Sequence, residues 1–214
     1  MDMPKGILIG CPLPRSFFET TGTGESEHQV HAGSYHYAMQ AAGVERANLI
    51  PYTSILPAIA RKITVQEGMA RIKHGAEMKV IQAAAHVDKK TGEKRATSAI
   101  LYGWLRPKGD KQAPHAGGLV CEYNGNETQD AADKNLHACL KGLFKNPDRN
   151  NYVFADEYDL DIQQLIAATV EPKKRFGTAL CALAFVDYFV PILGHNLARE
   201  KMQILQTALA QRGL

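Results

Sequence analysis

At 214 residues the chain is long enough for a single domain with a substantial core. Its 45% hydrophobic and 22% charged residues are ordinary for a globular protein, and a net charge of +3 spread along the chain gives no argument for nucleic acid. Cys11, Cys121, Cys139 and Cys181 lie far apart in sequence without a Cys-x-x-Cys pair, so neither a zinc ribbon nor a redox motif is supported and a cytoplasmic location is expected.

Gly6 to Cys11 is a short apolar run read as the first strand, ended by Pro12 and Pro14. Leu8-Ile9-Gly10-Cys11 has the form of a lipoprotein cleavage site, but the preceding run is shorter than the roughly 7–15 residues of a signal core. No segment approaches the ~18 apolar residues of a membrane span, so no membrane partner is expected. Arg15 to Thr20 reads as a strand leading to Gly22 and Gly24. Glu27 stands where a dinucleotide fingerprint needs glycine, so these glycines imply a close backbone approach or a tight turn. Val30 to Ala42 has helical spacing of Tyr35, Ala38, Met39 and Ala42, and Gly43 is placed to cap it. His28 and His31 could share a helical face with Glu25 or Glu27, yet the His-Glu-x-x-His pattern is missing and no metal is expected.

Ala47 to Ile50 is the next strand, and Ile55 to Glu67 is ambiguous. Ala76 to Val87 and Ala96 to Leu105 read as two strands of a hairpin, and Gly117 to Tyr123 as a third in a meander. Asn126 to Phe144 is an amphipathic helix. Leu165 to Val170 and Phe176 to Val186 are the last strands, and Leu197 to Arg212 is a terminal helix. Strands interleaved with amphipathic helices give an α+β fold with helices layered on antiparallel sheets.

Asn48-Leu49-Ile50-Pro51-Tyr52-Thr53-Ser54-Ile55-Leu56-Pro57 is the most informative stretch. Each proline restricts itself and the residue before it, so Tyr52 to Leu56 follows a constrained path. The bland reading is a Ser/Thr turn between two core elements. The sharper one is a serine whose Oγ is pressed toward the Thr53 carbonyl carbon, with local strain driving the attack.

This segment resembles the self-cleavage site of the pyruvoyl-dependent arginine decarboxylases, above all the chlamydial branch with its Thr-Ser junction. Thr21-Gly22-Thr23-Gly24-Glu25-Ser26, Lys73-His74-Gly75-Ala76 and Glu122-Tyr123 are similar to further family segments in the same order. The resemblance implies a four-layer αββα sandwich with antiparallel sheets, formed by a single domain over 1–214. It also implies a homo-oligomer, a trimer or a dimer of trimers, with active sites between subunits. Self-cleavage between Thr53 and Ser54 would give a β fragment, 1–53, and an α fragment, 54–214, beginning with a pyruvoyl group made from Ser54. The terminal helix within 190–214 is an addition to the family pattern.

The implied activity is a carboxy-lyase converting L-arginine to agmatine and CO2, in polyamine metabolism, through a Schiff base between the substrate amine and the pyruvoyl ketone. A carbanion at Cα needs such an electron sink, because no ordinary side chain delocalises the charge. By the same resemblance Glu122 is the acid that returns a proton to Cα, and burial on an apolar strand would raise its pKa for that task. Asn48 would support cleavage by donating to the oxyanion. His36, Met39 and Ile55 would contact substrate. The family carries aspartate where this chain has His36, and histidine cannot form the carboxylate–guanidinium fork. Two alternatives therefore accompany arginine: the same chemistry on another amino acid, and an unprocessed, non-catalytic oligomeric binding protein.

Overall fold

The structure, a computed structural model, describes residues 9–28, 33–147 and 150–192. The chain divides into two units, Pro14–Asp187 and Met1–Leu13 with Tyr188–Leu214. In the smaller unit, Ile9 bridges Ile192 and the Gly10 N–H donates to the Pro191 carbonyl at 2.7 Å. The beginning of the strand expected at Gly6 to Cys11, and the helix expected at Leu197 to Arg212, lie outside the described residues.

The protein is α+β, with two mostly antiparallel sheets. The first has the strand order β2 (Asn48–Pro51), β5 (Glu77–Asp88), β10 (Phe176–Phe189), β1 (Leu13–Ser26) and β4 (Arg61–Lys62). Its two outer pairings, β2 with β5 and β1 with β4, are parallel, which departs from the wholly antiparallel expectation. The second sheet has β3 (Ile55–Pro57), β7 (Gly117–Gly125), β6 (Ala96–Pro107) and β8 (Tyr158–Ile162), with β9 (Ile166–Val170) also pairing with β6.

β1 alternates into the core and runs straight through the glycine-rich segment, so no turn interrupts it at Gly22 or Gly24. The glycines instead admit helix α1 (Ser34–Ala41): a Cβ on Gly24 would fall on the Ser34 carbonyl, and one on Gly22 on that of Ala38. The helix ends at Gly43, whose φ of 72° places it in the left-handed region that favours glycine. Ala38, Ala42 and Val44 pack on Phe18, Met78, Val80 and Leu180 of the first sheet.

Helix α3 (Gln129–Lys145) covers the second sheet, with Ala132, Leu136 and Leu140 on Ala99, Leu101, Leu119 and Cys121. Thr128 caps its start by accepting from the Ala131 N–H. Period-2 alternation sends the neighbouring side chains to the opposite face. There Phe17 of the first sheet meets Tyr102 and Trp104 of the second, with ring centroids 6.0 and 6.2 Å apart.

β5 and β6 are joined by the short turn Lys89–Thr91 yet belong to different sheets, so the expected hairpin pairing does not form. Ten successive buried residues in β6 explain this, since both of its faces are covered and it sits centrally among β7, β8 and β9. The Ser98 hydroxyl secures the join by accepting from the Ala85 N–H and donating to the Ala179 carbonyl, at 2.9 and 2.7 Å. The ambiguous stretch from Ile55 to Glu67 resolves into β3, β4 and the start of α2 (Val65–Arg71), which opens with a Thr64–Glu67 capping box. Cys121 and Cys139, eighteen positions apart in sequence, come together with their Sγ atoms at 3.3 Å, both as free thiols.

Candidate active site

Tyr52, Thr53 and Ser54 carry the chain from one sheet to the other. β2 ends at Pro51 beside Val80 of the first sheet, and β3 begins at Ile55 opposite Leu119 of the second. Both ends of the crossing are pinned by backbone hydrogen bonds. The Tyr52 N–H donates to the Val80 carbonyl at 2.7 Å, and the Val120 N–H donates to the Ser54 carbonyl at 3.0 Å. Pro51 lacks a donor and its successor must turn away, which suits a strand end leading into a crossing. Within the crossing the Ile55 N–H donates to the Thr53 carbonyl at 2.8 Å, closing a three-residue turn centred on Ser54.

Glu122 is delivered by β7. It lies opposite Ile100 of β6 and shares that residue's face, away from α3, whereas its neighbours Cys121 and Tyr123 pack on the α3 side. The Ser54 hydroxyl is 2.8 Å from each carboxylate oxygen of Glu122 and donates to them. Burial raises the Glu122 pKa above the ordinary carboxylate value, and the Ser54 hydrogen bond opposes part of that rise. The carboxyl group that accepts the serine hydroxyl is thus also one whose burial favours its protonated form. A serine hydroxyl thus sits on a half-buried carboxyl group and adjoins a peptide bond pinned on both sides.

The other expected site residues gather elsewhere. His36 and Met39 of α1 and Asn48 of β2 line a cavity of about 490 Å³ with Tyr35, Ala47, Leu49, Pro51 and Gln82. Neither Ser54 nor Glu122 is part of that wall. The Asn48 side-chain amide donates to the Gly75 carbonyl at 2.8 Å, which ties β2 to the loop carrying His74 and Gly75. Ile55 presents a largely exposed side chain on the edge strand β3 beside Ser54. Sequence reasoning missed Tyr35 and Gln82, whose side chains meet at 3.5 Å in the cavity wall. A glutamine amid the apolar residues of β5 was the available signal. Among the described residues no group of three or more His, Cys, Asp or Glu side chains could hold a metal, and His31 lies outside them.

Comparison with known proteins gives the class, a pyruvoyl-dependent decarboxylase. The model of the pyruvoyl-dependent arginine decarboxylase family matches residues 16–190, and the chain belongs to that family. It is 24% identical over 194 residues to the pyruvoyl-dependent arginine decarboxylase AaxB of Chlamydia abortus, covering 84% of this chain and 94% of the relative. The protein of the same name from Chlamydia pneumoniae is 27% identical over 197 residues, covering 85% and 95%. The chain is thus a carboxy-lyase with a covalently bound pyruvoyl cofactor.

Proposed function

We propose that the chain cuts itself between Thr53 and Ser54, and that the new N-terminus is the pyruvoyl group. The observation that carries this is the Ser54–Glu122 hydrogen bond. Glu122 accepts the hydroxyl proton while Ser54 Oγ bonds to the Thr53 carbonyl carbon, and that carbon's bond to the Ser54 nitrogen breaks as the nitrogen takes up a proton. The product is an ester between Thr53 and Ser54. Loss of the Ser54 Cα proton then breaks the Cβ–Oγ bond and releases Thr53 as a carboxylate. Water replaces the nitrogen of the resulting dehydroalanine, with ammonia leaving.

Once formed, the group would supply the electron sink that decarboxylation at Cα needs. The chain's own residues do the rest. The Val120 N–H stays on the Ser54 carbonyl and fixes its direction. Glu122, with its raised pKa, returns a proton to Cα, and the exposed Ile55 offers an apolar wall.

The substrate reading is L-arginine, giving agmatine and CO2, and it follows the names of the family and its relatives. His36 in the α1 cavity stands against a plain guanidinium fork and keeps a less basic amino acid as the second reading. Because His36, Met39 and Asn48 line a wall without Ser54 or Glu122, assembly into a trimer or a pair of trimers would bring the two sets together across subunits. The layer order α1, first sheet, second sheet, α3 supports the four-layer sandwich. Among the described residues no helix is long and apolar enough to cross a membrane, and we place the enzyme in the cytoplasm.

Denaturing mass measurement tests the proposal. Wild type should give two fragments meeting at Thr53 and Ser54, and Ser54→Ala one full-length species. An uncut wild-type chain that decarboxylates would refute the scheme.

A further inference from the structure

We infer that the Ile55 backbone N–H is the oxyanion donor for the first step of self-cleavage. The inference rests on the Thr53–Ser54 reading and concerns a group that reading leaves unassigned. The N–H is 2.8 Å from the Thr53 carbonyl oxygen, the atom that becomes negatively charged when Ser54 Oγ adds to its carbon. That is the ground-state separation, and oxyanion stabilisation requires the donor to stay at the roughly 2.7–3.1 Å of an oxyanion contact as the carbon becomes tetrahedral. Among the described residues no other hydrogen bond is donated to that oxygen. The Asn48 amide, the donor expected from the sequence, gives one of its two N–H groups to the Gly75 carbonyl.

The donor is preorganised by the chain around it. Among the described residues only Asn151 has a positive φ outside glycine, so Ser54 has a negative φ and the turn is of the inverse γ kind. Such a turn aims the third residue's N–H back at the first residue's carbonyl. Two pins hold it there: the Val120 N–H on the Ser54 carbonyl, and the pairing of Ile55 with Leu119. Addition of Oγ forms the Oγ–C bond and moves the carbonyl π pair onto oxygen, with the hydroxyl proton passing to Glu122. Collapse of that oxyanion re-forms the C=O and expels the Ser54 nitrogen, which is protonated as it leaves. The Ile55 N–H remains intact throughout, so atoms and charge balance without a co-reactant.

The test compares three chains by fragment mass against time after synthesis. The wild-type chain keeps the N–H and sets the reference rate. Ile55→Pro lacks the N–H, and a second variant carries the α-hydroxy acid counterpart of isoleucine at position 55, which removes the N–H but keeps the side chain. Both should cut about a hundredfold more slowly, the usual loss for one oxyanion donor. Hydroxylamine distinguishes the stalled step, because it cleaves an ester to a Thr53 hydroxamate and leaves an amide alone. Stalled chains should yield no Thr53 hydroxamate, and the Ser54 hydroxamate that the backbone ester of the hydroxy-acid variant gives is told apart by fragment mass. Normal cutting of the hydroxy-acid variant would overturn the inference, even where Ile55→Pro is slow or unfolded. Stalled chains rich in Thr53 hydroxamate would overturn it as well, since the first step would then be complete. A wild-type chain that never cuts would overturn the self-cleavage reading itself, and this inference with it.

Discussion

Ser54 and Glu122, sixty-eight positions apart in sequence, meet at 2.8 Å through both carboxylate oxygens. The contact exists because Ser54 enters an edge strand of the second sheet and Glu122 leaves through the neighbouring one. Under the proposed cleavage, one carboxyl group would partner the serine beforehand and lie beside the new N-terminus afterwards.

Replacing Glu122 by Gln should therefore act at two stages. Cutting should slow because an amide cannot take the Ser54 proton, and turnover of the molecules that do cut should fall by about 10²–10⁴. Fragment appearance followed by mass, with CO2 release per cut chain, separates the two. Normal cutting with lost turnover would confine Glu122 to the later step.

The ionisation of Glu122 has a direction that can be measured in the uncut Ser54→Ala chain. Burial raises its pKa and the Ser54 hydrogen bond lowers it, so removing the hydroxyl should leave the group titrating above the ordinary carboxylate value. With the folded pKa above the unfolded one, the folded chain holds the extra proton between them. Stability then falls as pH rises through that window and is level above it. Carboxyl carbon NMR reads the pKa directly, and melts of Ser54→Ala with and without Glu122→Gln read the linkage. A Glu122 pKa at or below 4.5 would contradict the assignment.

His36 is the position through which specificity can be read. In His36→Asp a carboxylate enters the cavity shared with Met39 and Gln82, and arginine turnover should rise by one to two decades. That range corresponds to a charge-assisted hydrogen bond of about 1.5–3 kcal/mol. A panel of amino acids assayed by CO2 release for both enzymes checks this. Strong wild-type preference for arginine, unchanged in the variant, would detach the position from specificity.

Two glycines should both lose stability on replacement by alanine, but for different reasons. At Gly24 the added methyl would press on the Ser34 carbonyl and the Ala38 nitrogen, and neither backbone atom can yield without moving α1. A loss of about 1–3 kcal/mol or more is expected. Gly75 has open space around it and a φ of 77°, so its cost is conformational alone, about 1–2 kcal/mol. Chemical denaturation in the Ser54→Ala background measures both without interference from cutting.

The parts of the fold most legible from sequence were those whose pattern is local. The β7 strand, the α3 helix and the Gly43 cap sit close to where alternation, helical spacing and a terminal glycine place them. Partner choice was not local. β5 and β6 look like a hairpin because a short polar turn joins them, and only the continuous burial of β6 sets it in a different sheet. β8, Tyr-Asp-Leu-Asp-Ile, passed unseen because two aspartates interrupt a short apolar run, and α4 (Phe154–Glu157) is a single turn. Within the site, Ser54 and Glu122 were nameable from their segments, but their contact depends on the β3–β7 register. The Asn48 bond to Gly75 depends on a loop path that no pattern encodes.

The first sheet places β1 between β10 and β4, and sets β2 against β5. A break at Thr53–Ser54 puts β1, α1 and β2 on one polypeptide and every other element on the second. The sheet would then be woven from two molecules, with a strand of the smaller one enclosed on both sides by the larger. Melting ceases to be a one-chain event: the halves part, and the midpoint should move with protein concentration as it does for any dissociating complex. Uncut Ser54→Ala should refold after dilution from denaturant at a rate independent of concentration. The cut protein must find its other half first, so its architecture is inherited from a precursor that no longer exists.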